Sequence, residues 1–327
     1  MNSTNSTLFP TDSYYDGYLT VGAQDFWITI VASALQLTIL GYLMYTKTKN
    51  PQTRRKVYSA TNTLLLLMIF INCMTIAFNA LYVGATTESS MLAYLSLSYV
   101  GTLSSQCLII IYSWKRGRPV FHAMIPSIEP YLPAFFVLFG LLQANQFAWT
   151  VMQFCASAFS FTEEWTNVVD GVTNALSVTV NVVMLLFDAL VTIVYILYLR
   201  AMKSDLPDVA KLKVISRYGI ASCFCMEVWL IGIVLFNYWF VTPTVSIFWF
   251  LVSLRIYDFG PIIYVFLQLA MKWSLQQEEV RGEKMKRERI ETARIVSTRG
   301  TSVAMRTSVI TMAEKPEKSR MSRIMSQ

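Results

Sequence analysis

Four ionisable residues stand in stretches of the sequence that are otherwise apolar: Asp188, Glu227, Arg255 and Asp258. An ionised side chain in hydrocarbon costs at least about 2.5 kcal/mol on insertion scales, so each is expected to bind, switch or carry charge. Arg255 and Asp258 lie three apart, neighbours on a helix surface, and a salt bridge between them would offset most of that cost. Asp188 and Glu227 could point at the same guanidinium, or one of them could hold a proton. Asn62, Asn72, Asn79 and Gln106 can complete a polar cluster with them. Three chemistries fit such a set. It can hold helices in register, it can break and re-pair as a two-state switch, or it can form a path for a proton or cation.

The elements that must position these residues follow from composition. Of 327 residues, 54% are hydrophobic and 14% charged, whereas charged residues make up roughly a quarter of a soluble domain. A bilayer core about 30 Å thick needs about 20 apolar residues per crossing helix. Apolar runs between charged clusters place spans near 24–46, 57–83, 91–114, 124–146, 174–200, 214–239 and 243–271. Pro126, Pro130 and Pro133 crowd the start of the fourth, and its apolar run continues through Trp149 towards Phe161. The expected fold is therefore all-α, a seven-transmembrane helix bundle, with residues 1–23 a short extracellular N-terminus, 24–271 the membrane domain and 272–327 a tail.

Orientation comes from the cations. Every one of the 27 Lys and Arg residues except Arg255 falls in the tail or in alternate connections: Lys47 to Lys56, Lys115 to Arg118, and Arg200 to Arg217. The positive-inside rule puts those connections and the C-terminus in the cytoplasm and the N-terminus outside. An odd number of spans is required by the same asymmetry. The polar first 20 residues lack the basic flank and apolar run of a signal peptide, so the first helix is expected to act as its own membrane signal. Asn2-Ser3-Thr4 and Asn5-Ser6-Thr7 fall on the outer side, which makes Asn2 and Asn5 candidate glycosylation sites. The plasma membrane is the expected location.

The seventh span contains Tyr257-Asp258-Phe259-Gly260-Pro261-Ile262-Ile263-Tyr264. Pro261 removes a backbone hydrogen bond and Gly260 weakens the turn before it, so a kink is expected there. This stretch resembles the Asn/Asp-Pro-x-x-Tyr element that ends the seventh helix of rhodopsin-like G-protein-coupled receptors. Pro261 and Tyr264 match, and Gly260 replaces the Asn/Asp. Tyr112-Ser113-Trp114-Lys115-Arg116 stands where that family has Asp/Glu-Arg-Tyr, with the acid missing. The family's cysteine at the outer start of the third span is absent, and no lysine precedes Lys272 in the seventh, which excludes a retinal Schiff base. A second resemblance, in overall layout and the basic first inner loop leading into Val57-Tyr58, is to plant seven-helix proteins of the tobamovirus-multiplication type.

Enzyme chemistry lacks its parts. The single histidine, His122, placed near the inner end of the fourth span, has no ligand or triad partner, so histidine-ligated metal, haem and Ser-His mechanisms are not expected. There is no Gly-x-Gly-Asp partner for an aspartyl protease, no phosphate loop and no dinucleotide fingerprint. No cofactor, metal or nucleic acid is expected. None of the five cysteines falls in the first 72 residues, so a disulfide-stapled ectodomain is excluded.

The tail from Lys272 mixes basic and acidic residues at helical spacing to about residue 296, which predicts a helix on the inner membrane face. Beyond it, Ser297, Ser302, Ser308 and Ser322 each follow an arginine within a few residues, in a polar stretch expected to stay unfolded. They are candidate substrates for basophilic kinases.

The sequence thus leads to a receptor that passes an extracellular ligand's signal through helices 5–7 to a cytoplasmic partner. The resemblance implies a heterotrimeric G protein, engaged through Lys115, Arg116, Lys211, Lys213 and Arg217. A transporter or channel using the mid-membrane acids is the alternative, and a scaffold acting through its tail is a third possibility.

Overall fold

A computed structural model describes residues 12–48, 59–127, 129–159, 162–201, 207–241 and 246–313. The chain divides into two compact units, Met1–Leu275 and Gln276–Gln327. Its helices are α1 (Asp12–Thr48), α2 (Ala60–Val83), α3 (Glu88–Met124), α4 (Leu132–Ala158, entered through a 3-10 turn, Glu129–Tyr131), α5 (Glu163–Ala201), α6 (Pro207–Val241) and α7 (Ile247–Ala313). All seven are long and apolar enough to cross a membrane, and no strand occurs among the described residues.

Local chemistry starts several of them. Ser59 caps α2 by accepting from Asn62 N–H, and Thr87 caps α3 by accepting from Ser90 N–H, each satisfying a donor the first turn would otherwise leave free. α4 starts at 132, later than the 124 expected from hydropathy. Pro126 and Pro130 lack the N–H a helix needs and push the residues before them out of the α region, while Pro133 sits in the first turn, where the missing donor costs nothing. The apolar run through Trp149 belongs to this helix.

Cross-helix bonds fix the directions. Ser105 meets Asn72 and Ser98 meets Asn79, so α2 and α3 run antiparallel. Gln153 with Asp170 and Thr173 with Trp149 set α4 against α5. Gln36 meets Ile262, and Tyr42 stacks on Trp273, so α1 runs parallel to α7. Consecutive helices therefore alternate, and the α1–α2, α3–α4 and α5–α6 connections share one end. Exposed Lys115, Arg118, Lys213 and Arg217 cluster there, and it is called the basic end below.

The bundle is built inside out compared with a water-soluble protein. Trp27, Val31, Phe70, Leu138, Leu186, Phe224 and Phe248 face outward, while Asp25, Asn72, Gln106, Arg116, Asp188, Asp258 and Gln268 are buried. An apolar girdle of that extent suits hydrocarbon rather than water.

Helix ends depart from the expected spans because charge ends a hydropathy run without ending a helix. α3 continues ten residues past the expected 114, through Pro119, and places Lys115, Arg116, Arg118 and His122 on helix rather than in a loop. His122 thus belongs to the last turn of α3, not to α4. α1 reaches back to Asp12, which puts Asp25 several turns inside it. α7 runs on to Ala313, as no proline interrupts it between Pro261 and Pro316, so Ser297, Ser302 and Ser308 are helical where an unfolded stretch was expected. Asn2, Asn5 and Ser322 lie outside the described residues.

Candidate functional site

Polar side chains gather at three levels along the inner face of α7, and together they hold most of the residues singled out from the sequence.

At the basic end, Arg116 is 6% exposed. Its Nη1 donates to Gln268 Oε1 at 2.6 Å and to Ser222 Oγ at 3.2 Å, and its Nε donates to Tyr195 OH at 3.2 Å. The guanidinium also lies over the Tyr195 ring, 5.6 Å from its centre. Gln268 Nε2 donates to the same Ser222 hydroxyl at 2.7 Å, which in turn donates to Tyr218 O at 2.6 Å. One turn closer to the middle, Ser113 and Tyr264 share a hydroxyl–hydroxyl bond of 2.7 Å. A single cation therefore ties α3, α5, α6 and α7 through neutral groups. No carboxylate forms an ion pair with it among the described residues. Its Nη2 has no acceptor among the described residues, and Asp188, bonded to the Cys223 thiol across the α5–α6 seam, is an acid within electrostatic reach. Arg116 was expected as an exposed coupling charge beside Lys115. It is buried instead, because its place on α3 follows Ser105, Ile109, Tyr112 and Ser113 at helical spacing on the inward face. Lys115, Lys213 and Arg217 are exposed and Lys211 is half-buried, all at this end.

The middle level is built on Pro261. A proline has no N–H to give the carbonyl four residues back, which is that of Tyr257. Trp229 Nε1 from α6 donates to this freed carbonyl at 2.9 Å. Gly260 makes the approach possible, since a Cβ there would run into the indole. α1 supplies a further clasp one residue beyond the proline, Gln36 Nε2 donating to Ile262 O at 2.9 Å. The helix remains continuous through this region.

Beside it, the expected Arg255–Asp258 pair gives way to a four-residue arrangement with α1. Arg255 is 42% exposed and turns to Asp25, its Nε 3.7 Å from Oδ1, while Nη2 donates to Gln24 Oε1 at 2.6 Å. Asp25 is 0% exposed and its oxygens accept from no donor among the described residues. Its neighbour within hydrogen-bonding reach is the buried carboxyl of Asp258. Two carboxyl groups in contact must have a shared proton or a cation to hold them together. Asn72 accepts from Ser105 at 2.7 Å, and its own amide nitrogen has no partner among the described residues. Asn72, Ser105, Trp229, Asp258 and Pro261 line a cavity of about 20 Å³, room for about one water.

The third level, toward the opposite end, is a cavity of about 140 Å³ between α2 and α7. It is lined by Asn79 and Tyr82 of α2, Ser98, Tyr99, Thr102 and Gln106 of α3, Gln146 of α4, Ser177 of α5, Ile233 and Phe236 of α6 and Tyr257 of α7. Gln106 donates to Asn181 at 3.4 Å and accepts from Gln143 at 3.1 Å. Thr102 and Tyr257 share a 2.9 Å bond. Both of these residues also line the small cavity below, so their bond forms the floor between the two.

The four acids and cations expected as one network are thus split between two places. Arg255 and Asp258 join α1, whereas Asp188 lies by Cys223, with half-buried Glu227 in its electrostatic reach. Asp25, Gln268, Ser222, Tyr195 and Trp229 escaped the sequence reading. Asp25 stood at the edge of a span drawn from 24, and the rest are ordinary residues until a helix from elsewhere brings Arg116 or Pro261 to them. Among the described residues no three His, Cys, Asp or Glu side chains gather to hold a metal ion. Comparison of the chain with protein-family models, with curated proteins and with solved structures gave no match.

Proposed function

We propose that the protein is a membrane receptor of the G-protein-coupled kind, taking an extracellular ligand into the 140 Å³ cavity and signalling at the cytoplasmic, basic end. The observation that carries this reading is the Arg116 knot. A buried guanidinium held by two hydroxyls and an amide, with a spare Nη2, can exchange partners at small cost, whereas an ion pair would lock it. It joins the helices expected to move, at the end where Lys115, Lys213 and Arg217 offer a basic surface to a partner. Its place on α3, and the Tyr264 bond to Ser113 beside it, fit the partial resemblance to rhodopsin-like receptors. Asn2 and Asn5 glycosylation and tail phosphorylation at Ser297, Ser302, Ser308 or Ser322 belong to the same proposal.

The test uses purified full-length chain in lipid nanodiscs with heterotrimeric G proteins and labelled guanine nucleotide. Expected is nucleotide exchange above that of G protein alone, returning to baseline in Arg116→Leu that still unfolds cooperatively. Exchange at baseline with every G-protein class would sink the reading.

The Asp25–Asp258 contact favours a second reading, proton- or cation-coupled transport. Flux in reconstituted vesicles that is abolished by Asp258→Asn or Glu227→Gln, without nucleotide exchange, would establish it instead.

A further inference from the structure

We infer that the larger cavity takes a neutral, ring-sized aromatic molecule carrying a hydroxyl or N–H donor. This inference rests on the receptor reading for its purpose and on the cavity's own chemistry for its content.

Charge comes first. Among the described residues, not one Asp, Glu, Lys, Arg or His lines the cavity. An ammonium or carboxylate entering it would lose its water and gain no counter-charge, and such burial is strongly unfavourable. The acid one level down, Asp258, lines the separate small cavity and is divided from this one by the Thr102–Tyr257 bond.

Size follows from volume. About 140 Å³ is close to the dry cavity of about 150 Å³ that accepts benzene in an engineered protein. One six-membered or fused ring system with few substituents fits. Tyr99, Phe236 and Tyr257 present rings to it, and Phe236 and Tyr257 already stack on each other with centres 5.5 Å apart, a surface that favours another aromatic plane.

The donor requirement comes from Gln146. Its residue is 7% exposed, and its buried Oε1 has no donor among the described residues. Three of the polar side chains that share the cavity are bonded elsewhere: Gln106 to Asn181 and Gln143, Ser98 to Asn79, Thr102 to Tyr257. A buried acceptor left open in this way selects for a ligand that brings an O–H or N–H to it.

The experiment is binding to the full chain in nanodiscs without G protein, read by calorimetry and by the thermal midpoint. The probes are 4-ethylphenol and indole, their donorless counterpart ethylbenzene, protonated phenethylamine and benzoate. Expected are saturable binding of 4-ethylphenol or indole, about tenfold weaker binding of ethylbenzene, and none of the ions. Gln146→Met, close in volume, should weaken 4-ethylphenol about tenfold and leave ethylbenzene unchanged. Gln146→Glu should admit phenethylamine. Equal or tighter binding of either ion to the wild type overturns the inference, and so does no binding by any probe, which leaves a water-filled pocket. Neutral probes that bind yet never stimulate nucleotide exchange would remove the receptor reading alone. Exchange stimulated by phenethylamine would keep reception and remove the ligand class.

Discussion

The Trp229 indole and Pro261 make one device, and a double-mutant cycle isolates it. Pro261 leaves the Tyr257 carbonyl without its helical N–H, and Trp229 Nε1 replaces that donor at 2.9 Å. Trp229→Phe removes the donor and part of a side chain that is 2% exposed. A buried carbonyl left unpaired costs about 1–3 kcal/mol, and the lost ring volume adds about 1 kcal/mol. In a Pro261→Ala background the alanine N–H bonds Tyr257 O within the helix. There Trp229→Phe should cost the volume alone. The expected coupling is the carbonyl cost alone, about 1–3 kcal/mol, which corresponds to about 2–12 °C in the thermal midpoint at 2–4 °C per kcal/mol for a chain of this order of size. The assay is thermal unfolding of the four proteins in one detergent, followed by tryptophan-independent dye labelling of the buried cysteines. Additivity within about 0.3 kcal/mol would refute the argument that the indole serves the proline-freed carbonyl.

Gln268→Leu should destabilise the fold by about 2–3 kcal/mol in the same assay, because it strips the shortest acceptor from a buried cation and a second bond from Ser222; a change under 1 kcal/mol would mean that Arg116 is held otherwise. Asp258→Asn should be neutral or stabilising by about 1 kcal/mol, since its amide donates to Asp25 without the shared proton or cation that two carboxyls in contact require, and a clear loss of thermal stability would show that the carboxyl pair is held better by that proton or cation than by an amide. Gly219→Ala should cost about 1–3 kcal/mol by overpacking, as its Cβ would enter the Tyr195 ring, whereas Gly140→Ala, with open space around it, should cost nothing. Tyr257→Phe removes one neutral bond, worth about 0.6 and at most about 1.7 kcal/mol between membrane helices, so stability should change little while basal nucleotide exchange shifts; unchanged exchange would detach Tyr257 from signalling.

Hydropathy located the seven spans because each needs a long apolar run that loops do not supply. It misplaced their ends wherever a helix outlasts its apolar stretch, as α3 does through Arg116 and α7 does to Ala313. The spacing of Arg255 and Asp258 suggested a pair, yet neighbours on one helix compete with partners on another, and Asp25 of α1 wins the guanidinium. Charge counting grouped Arg116 with Lys115 and Arg118 and so hid its burial. The inward period Ser105, Ile109, Tyr112, Ser113, Arg116 and Val120 on α3 held the signal that separates them. Pro261 was legible as a break in hydrogen bonding, but nothing in the sequence names Trp229 as the group that repairs it.

The three polar levels are linked through α7, and Tyr257 joins the upper two. Its hydroxyl closes the floor of the larger cavity with Thr102, its ring stacks on Phe236, and its carbonyl receives the indole of Trp229. The next residue, Asp258, faces Asp25. A ligand that displaced the Tyr257 hydroxyl would therefore act on the turn of α7 that Pro261 leaves short of a hydrogen bond. Movement of that turn relative to Trp229 shifts α6 against α7, and farther along the same two helices Ser222 and Gln268 are the acceptors that hold Arg116. The step from Asp258 to Gln268 is about 15 Å at 1.5 Å per residue, short enough for a rigid helix to carry a displacement of that turn directly to the guanidinium.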